Sequence, residues 1–361
     1  MSKKRSKSQH YVPKAYLSQW ETTVESIKEP KKLFTGVYYF EGDSQIGDGR
    51  NKDSILWEPH LYTIRFDKLY IGEGCPLVYT DFVKQVFEYM QEKRSPPVYG
   101  KLGYSTIKTK NSVRKHLLKV DDWDFYYSNN KPAPKSSILR DIHGINSYIL
   151  ENGFDEKYEK SWRDLLNTFI IEMRNPSNGS IGKSERIIDM DLTQKVFSFF
   201  LMMHCRSPQF NGKGILDWLD TPLREIFVDE SDSVIESVWY TELYRLLKDK
   251  KVGHYHELLL GAIEHCQMVF YEAQDSISSF ITSDNPAFLN QQLAPEVNNH
   301  TGYIFPLSPK YLLFIGRGSG NLNVIDYRFA DRKLVCFFNR IIYRNRSKAV
   351  VASLKNLKDL L

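Results

Sequence analysis

Apolar residues recur at helical spacing through the middle of the chain, and they cluster in short β-type runs towards both ends. From Tyr79 onward, Phe82, Val83, Val86 and Met90 recur every three or four residues, which predicts an amphipathic helix that Ser95-Pro96-Pro97 ends. The same spacing predicts further helices at Ser137–Asn152, Lys157–Met173, Leu192–His204, Ser231–Lys248 and His254–His265.

Strand signals lie on either side of this helical region. Lys32–Phe40 is rich in β-branched and aromatic residues and ends at a Glu41-Gly42-Asp43 turn, and Leu61–Arg65 is a shorter candidate. Two hairpins are expected, listed here by their strands: Met268–Ala273 with Ser278–Thr282, and Tyr303–Pro306 with Tyr311–Gly316. The last forty residues predict one helix and then a strand around Arg340–Arg344.

Together these signals predict an α+β fold with a mixed or antiparallel sheet built from N- and C-terminal strands and a large helical middle region. We find no internal repeat and no linker composition. We therefore expect a single composite domain over residues 1–361, with a helical subdomain at about 79–265.

Composition narrows the class of protein. Hydrophobic residues make up 42% of the 361 positions, which is typical of a packed globular chain. The four cysteines are dispersed without a CxxC pair, which argues against a thiolate zinc site and a secreted disulfide framework. No apolar run approaches the roughly 20 residues that span a bilayer, so we expect no membrane insertion and a cytoplasmic location.

The net charge is mild, at +5 from 49 Lys+Arg and 44 Asp+Glu. Basic residues concentrate in two segments, which are Lys3, Lys4, Arg5 and Lys7 near the start and Arg340, Arg344, Arg346 and Lys348 near the end. Each segment is either a solvated surface or a phosphate-binding patch.

The segment Ser8–Leu17 contains the first candidate for chemistry, His10 followed by Tyr11. Pro13 disfavours helix at Val12, so His10 and Tyr11 should be extended. An aromatic cluster is unusual in a fraying terminus, so we expect this segment to dock into the fold. Histidine carries protons near neutral pH and binds metals, but it also serves as a structural hydrogen-bond partner, and both interpretations stay open.

Two further candidates lie at the ends of apolar elements. Asp284 and Asn285 follow an apolar strand, where they could bind a cation or a substrate oxygen, or simply form a turn before Pro286. Arg206 follows a buried helical run, where it could bind the last helix carbonyls or act as a fork for a phosphate or carboxylate.

The order of four short motifs resembles DUF4238, a family of bacterial and phage-borne proteins of unknown function. The motifs are Gln9-His10-Tyr11-Val12-Pro13, Arg206-Ser207-Pro208, Ser283-Asp284-Asn285-Pro286 and Phe305-Pro306-Leu307-Ser308-Pro309. The resemblance implies that the chain start packs beside the late strands. It brings no known reaction with it.

Two function hypotheses follow. In the first, the protein is a phosphodiester-cleaving hydrolase acting on DNA or RNA, as a bacterial defence effector would, with His10, Asp284, Asn285 and Arg206 as catalytic residues. His10 and Asp284 would also bind a divalent metal if one is used. Substrate contacts are assigned to Tyr11, Lys14, Ser283, Ser308, Arg340 and Arg344. In the second hypothesis, the same residues form a structural network within a non-catalytic module that binds nucleic acid or protein.

Overall fold

The computed structural model describes residues 8–27, 29, 31–63, 77–179, 184–207, 231–248, 251–252, 254–274, 278–290, 302–318 and 320–361. Its α-helices, in chain order, are α1 (Lys14–Leu17), α2 (Leu77–Glu88), α3 (Lys110–His116), α4 (Lys135–Phe154), α5 (Lys160–Arg174), α6 (Met190–Arg206), α7 (Ser231–Leu247), α8 (His254–His265) and α9 (Arg332–Arg344). π-Helical turns at Tyr89–Lys93 and Asp155–Glu159 adjoin α2 and α5.

The strands are short in the first half of the chain and longer in the second. In chain order they are β1 (Ser8–His10), β2 (Thr22–Glu25), β3 (Leu33–Glu41), β4 (Asp48–Arg50), β5 (Trp57–Pro59), β6 (Val98–Leu102), β7 (Ser105–Ile107), β8 (Asp124–Tyr127), β9 (Glu185–Ile187), β10 (Cys266–Ala273), β11 (Thr282–Ser283), β12 (Phe288–Asn290), β13 (Gly302–Pro306), β14 (Tyr311–Arg317), β15 (Val324–Ala330) and β16 (Ala349–Ala352).

The described residues form two compact units. The first draws on Met1–Pro59, Asp155–Gly214 and Lys251–Leu361, and the second on His60–Phe154 and Ile215–Lys250. The expectation of a single composite domain with a helical subdomain at about 79–265 stays a prediction.

A six-stranded sheet in the order β12-β13-β14-β10-β15-β9 is the largest element of the first unit. Its strands pair antiparallel except β10 and β15, which run parallel. The predicted second hairpin is confirmed as β13 and β14. Strand β14 is apolar on both faces because both faces of the sheet are covered, so alternation is absent from its sequence.

A second sheet joins the two ends of the chain. Its order is β11-β16-β3-β2, with β4 also paired to β3. The predicted strand at Lys32–Phe40 is confirmed as β3, and its Phe40 lies opposite Val350 of β16. The pairing of early with late strands, together with the helices between them, confirms the predicted α+β class.

The core of the first unit lies between the large sheet, helix α9 and the second sheet. The large sheet contributes Tyr271 and Phe314, α9 contributes Phe338 and Ile342, and the second sheet contributes Phe40 and Val350, all of them buried. Asp331 caps the start of helix α9, because its carboxylate accepts a hydrogen bond from the Leu334 amide at 2.9 Å.

The second unit combines helices α2, α4 and α7 with a three-stranded antiparallel sheet in the order β7-β6-β8. The predicted helices at 79, 137–152 and 231–248 are confirmed, with bounds shifted by a few residues. The small sheet was not predicted. Gly100 of β6 is required there, because a side chain at that position would come within 2.7 Å of the Trp123 ring.

Two strand predictions were wrong. Strand β10 forms no hairpin with Ser278–Thr282. It pairs with β14 and β15, while Thr282 and Ser283 pair with β16. A strand in the middle of a sheet needs a neighbour on each side, and here residues 39 or more positions away supply both. The predicted strand around Arg340–Arg344 is the last turn of α9, since Val335, Phe338 and Ile342 repeat at helical spacing.

The predicted short strand at Leu61–Arg65 is not formed over its described part. Leu61 and Tyr62 lie in a turn, and the Thr63 amide donates to the His60 carbonyl at 3.0 Å. Residues 64 and 65 lie outside the described residues.

Candidate functional site

The segment that contains His10 is extended and paired. Strand β1 runs antiparallel to β5, with His10 opposite Trp57, and the Tyr11 amide then donates to the Leu56 carbonyl at 3.2 Å. Because Pro13 disfavours helical backbone at the residue before it, α1 begins only at Lys14. The predicted extended conformation is confirmed.

Buried aromatic side chains anchor this segment to late parts of the chain. The Tyr16 hydroxyl donates to the Pro306 carbonyl at 2.7 Å and lies 2.8 Å from the Thr282 hydroxyl oxygen. The Trp20 indole N–H donates to the Phe280 carbonyl at 2.9 Å. Tyr16 and Trp20 have no solvent exposure. The chain start therefore docks beside the late strands, as the family resemblance implied.

Arg206 also binds the docked segment, through the His10 carbonyl. It is the last residue of α6 and is only 1% exposed. One terminal guanidinium nitrogen donates to the Glu159 carboxylate and the other donates to the His10 carbonyl, both at 2.5 Å. Glu159 itself lies in the π-helical turn before α5. The guanidinium thus binds a carboxylate, as one interpretation of the sequence held, but this carboxylate belongs to the same chain.

His10 is buried and close to two cations. Its Nε2 lies 3.3 Å from the Asp53 carbonyl oxygen, which fits a neutral ring with the proton on Nε2. Burial, with the nearby positive charges of Lys14 and Arg206, lowers the pKa of His10 from its ordinary value of 6.5 to about 4. The imidazole is therefore neutral at pH 7, and its low basicity makes it a weak proton acceptor.

Asp284 stabilises a turn at the other end of the predicted site. It is 2% exposed, and its carboxylate accepts hydrogen bonds from the Ser347 and Lys348 amides at 2.9 and 2.5 Å. Its own amide donates to the Ala349 carbonyl at 3.1 Å. Burial raises the pKa of Asp284, and these amides oppose the rise. The carboxylate fixes the turn between α9 and β16.

The polar neighbours of Asp284 also make turn contacts. The Ser283 hydroxyl donates to the Asn285 carbonyl at 3.0 Å and accepts from the Asn285 amide at 3.1 Å. The Asn285 side chain donates to the Asn345 carbonyl at 3.3 Å. In the hairpin between β13 and β14, the Ser308 hydroxyl accepts from the Lys310 and Tyr311 amides, each at 3.2 Å.

The remaining predicted substrate contacts are dispersed. Tyr11 is buried, and the Lys14 ammonium lies 3.3 Å from the Asp53 carboxylate. Arg340 donates to the Leu361 carbonyl, while Arg344 lies exposed in the last turn of α9. The early basic cluster of Lys3, Lys4, Arg5 and Lys7 lies outside the described residues.

The structure brings His10 and Arg206 into contact but gives Asp284 different partners. Over the described residues, the hydrogen bonds of His10 and those of Asp284 share no partner. Lys348, whose amide donates to Asp284, has its ammonium 3.0 Å from the Glu58 carboxylate on β5, the strand that pairs with β1. No three His, Cys, Asp or Glu side chains in the described part of the chain are grouped to hold a metal. The catalytic and metal-binding roles stay predictions.

Comparison with known proteins gives one match. The family model described as "Protein of unknown function (DUF4238)" matches residues 8–356 of this chain. The chain belongs to the DUF4238 family. No curated protein and no solved structure matches this DUF4238 protein. The matched region contains all four motifs on which the resemblance rested. None of the described helices has the length and apolar character needed to cross a membrane.

Sequence reasoning missed two polar clusters of this DUF4238 protein. One surrounds Glu272, a buried carboxylate of β10 that contacts Lys310, Arg174 and Tyr327. A signal was present, because Glu272 continues the inward-facing alternation of Met268 and Phe270 on the strand. The other cluster is the set of lysines and tyrosines on and beside the small sheet of the second unit. The sequence signal for this cluster was a local excess of positive charge, which is not visible in the net charge of the whole chain.

Proposed function

We propose that this protein binds single-stranded nucleic acid through residues 98–135, called here the basic sheet region. The observation that carries the proposal is its charge. The region contains eight Lys and Arg against three Asp, an excess of five positive charges that equals the excess of the whole chain. A local excess of this kind attracts phosphate backbones, whereas a mild overall charge does not.

One face of the small sheet is apolar and buried, and the other carries lysines and tyrosines, with Tyr99 only 4% exposed and Asp124 across from Lys101. Val98, Ile107 and Phe125 are buried, with Trp123 packed over Gly100. On the opposite face, Tyr99 lies across from Tyr126, and their rings stack with centroids 5.8 Å apart. The Lys108 ammonium lies 4.1 Å from the Tyr99 ring centroid, and that of Lys101 lies 4.7 Å from the Tyr126 centroid. The tyrosine rings thereby orient two lysines on this face.

Most cations of the region are exposed and without an acidic partner. Exposed positive residues in and beside α3 are Lys108, Lys110, Arg114, Lys115 and Lys119. Within the part of the chain that the structure describes, Lys135 alone of the eight forms an ion pair, at 3.7 Å from Asp124. Positive charges that are not neutralised by the protein release counterions when they meet phosphates, which is the main source of affinity for nucleic acid.

Tyr104 is the residue that favours binding of single-stranded over double-stranded nucleic acid. It lies at the tip of the hairpin between β6 and β7 and is fully exposed, with a relative exposure of 109%. The preceding Gly103 has φ +54°, a conformation that glycine adopts without strain and that produces the tight turn. An aromatic ring in solvent can stack on an unpaired base, and such stacking is independent of sequence.

The docked N-terminal segment then has a structural role. The hydrogen bonds of Arg206, His10 and Asp284 stabilise the first unit, as the non-catalytic hypothesis expects. The described Cys266 and Cys336 are free thiols, which suits a reducing compartment, and we place the protein in the cytoplasm, where nucleic acid is present.

The test is fluorescence anisotropy with 5′-labelled 20-nucleotide single-stranded RNA, single-stranded DNA and duplex DNA over a salt series. We expect both single strands to bind more tightly than the duplex. In the variant K108A/K110A/R114A/K115A, the slope of log K against log salt should fall by about 3, at about 0.7 for each lost phosphate contact. Tyr104→Ala should weaken single-strand binding and leave the salt slope unchanged.

The matched control removes the same charge from helix α9, in R332A/K333A/R340A/R344A, where all four side chains are exposed. This control should bind like the wild type. Equal loss in both variants would contradict the proposal, and loss in the α9 variant alone would support the C-terminal basic cluster predicted from sequence. Denaturing gels of the same mixtures report strand cleavage, so cleavage by the wild type would favour the hydrolase hypothesis instead.

A further inference from the structure

A cavity with both polar and apolar walls lies in the first unit, at the end of β10. Its volume is about 440 Å³, which is within the usual range of small-molecule sites. The lining residues with polar side chains are Gln274, Ser278, Ser279, Lys310 and Ser353, and the apolar ones are Ala273, Pro309 and Leu354. The Ser279 and Ser353 hydroxyl oxygens lie 3.1 Å apart. Among the described lining residues Lys310 carries the only charge, which is positive.

The walls of the cavity are held by backbone hydrogen bonds. The Ala273 amide donates to the Lys310 carbonyl at 2.9 Å, and the Phe280 amide donates to the Pro309 carbonyl at 2.8 Å. The fully buried Asn339 donates to the Ser279 carbonyl at 2.8 Å. A site whose walls are fixed in this way loses little conformational entropy when a ligand binds.

The Glu272 carboxylate fixes the position of the Lys310 ammonium. The Lys310 ammonium lies 2.9 Å from one Glu272 carboxylate oxygen, and the other oxygen accepts from the Tyr327 hydroxyl and lies 3.6 Å from Arg174. Burial raises the pKa of Glu272, but the hydrogen bonds from Tyr327 and Lys310 outweigh it and hold the pKa below its usual value. Glu272 is thus ionised and shared between two cations, which leaves the cluster with net positive charge.

We infer that this cavity binds a small phosphorylated, hydroxyl-bearing metabolite, with the phosphate on Lys310 and the hydroxyls on Ser278, Ser279 and Ser353. A lysine ammonium binds phosphate as a point charge, and serine hydroxyls both donate to and accept from ligand hydroxyls. The inference is independent of nucleic-acid binding, because the cavity and the basic sheet region share no residue.

The experiment compares ribose 5-phosphate, ribose and inorganic phosphate by isothermal titration calorimetry with the full-length protein. We expect ribose 5-phosphate to bind more tightly than inorganic phosphate, and ribose to bind far more weakly than either. Lys310→Gln should weaken ribose 5-phosphate binding by about tenfold or more, since one charge-assisted contact is lost. The control Lys333→Gln, at an exposed position of α9, should bind like the wild type.

A second variant keeps the test independent of the Glu272 ion pair. Ser353→Phe places a ring in the cavity while leaving Lys310 and Glu272 in place, and it should abolish binding of ribose 5-phosphate but not change the helical circular dichroism signal. Undetectable binding of ribose 5-phosphate by the wild type, or equal binding by Lys310→Gln, would refute the inference. Equal binding of ribose and ribose 5-phosphate would refute the role of the phosphate.

Discussion

Replacing Arg206 by methionine is the sharpest test of the view that the predicted catalytic residues are structural. Arg206 is 1% exposed and connects α6 to Glu159 and to the His10 carbonyl. Methionine keeps much of the side-chain volume but removes the charge and all guanidinium donors. Loss of the guanidinium leaves the Glu159 side chain, which is only 14% exposed, as an unpaired carboxylate in a site with little water.

The expected cost follows from these contacts. Removing one partner of a buried ion pair lowers the free energy of unfolding by about 3–5 kcal/mol, because the remaining charge is desolvated without compensation. The free His10 carbonyl adds to this cost, and we take the lower part of the range, about 3 kcal/mol, since Glu159 keeps some access to water. The double variant R206M/E159L removes both charges and should recover most of the loss.

Urea unfolding followed by tryptophan fluorescence measures the change, since Trp20 lies in the docked segment and is fully buried. Amide hydrogen exchange of residues 8–20 should rise in Arg206→Met before the rest of the first unit opens. The matched control is Arg340→Met on the exposed face of α9, which should cost less than about 1 kcal/mol. A cost for Arg206→Met no larger than that of the control would refute the structural role.

Three further outcomes are expected. Between pH 6.5 and 4, His10 is neutral in the folded protein but protonated in the unfolded chain, so stability falls by up to about 3 kcal/mol as the pH is lowered through this range. Urea titrations of His10→Gln should show a flatter profile of stability against pH. Tyr16→Phe should cost about 1–3 kcal/mol in the same assay, whereas Tyr104→Phe should cost nothing measurable. Asp284→Asn should increase amide exchange at Ser347 or Lys348, because the amide NH2 that replaces one carboxylate oxygen cannot accept a hydrogen bond. Unchanged exchange at both residues would refute the role of Asp284 in this turn.

Features encoded by local pattern were predictable from the sequence. Helix α6 follows from its apolar spacing, and the hairpin of β13 and β14 follows from two apolar runs that flank a Ser-Pro turn. The docking of Ser8–Leu17, which contains Tyr16, was also expected, because an aromatic-rich segment gains free energy only when it is buried.

The pairing of strands that are far apart in the chain could not be predicted from the sequence. Strand β10 takes its neighbours from β14 and β15, since a central position buries both of its faces, and nothing local to β10 specifies this. The hydrogen-bond partners of the candidate site residues were beyond the sequence for the same reason. Asp284 and His10 are both buried polar residues near apolar elements, but the backbone groups that satisfy Asp284 come from Ser347 and Lys348, more than sixty positions later.

The contact between Tyr16 and Pro306 sets an order of events during synthesis. These residues are 290 positions apart, so Tyr16 finds this partner only after the chain has been synthesised as far as Pro306. At about 5–20 residues per second, that delay is roughly 15–60 s. Throughout it, Tyr16 and Trp20 remain exposed to other chains and to chaperones. Any slowing of translation lengthens this interval, so the yield of folded protein should depend on elongation rate as well as on stability.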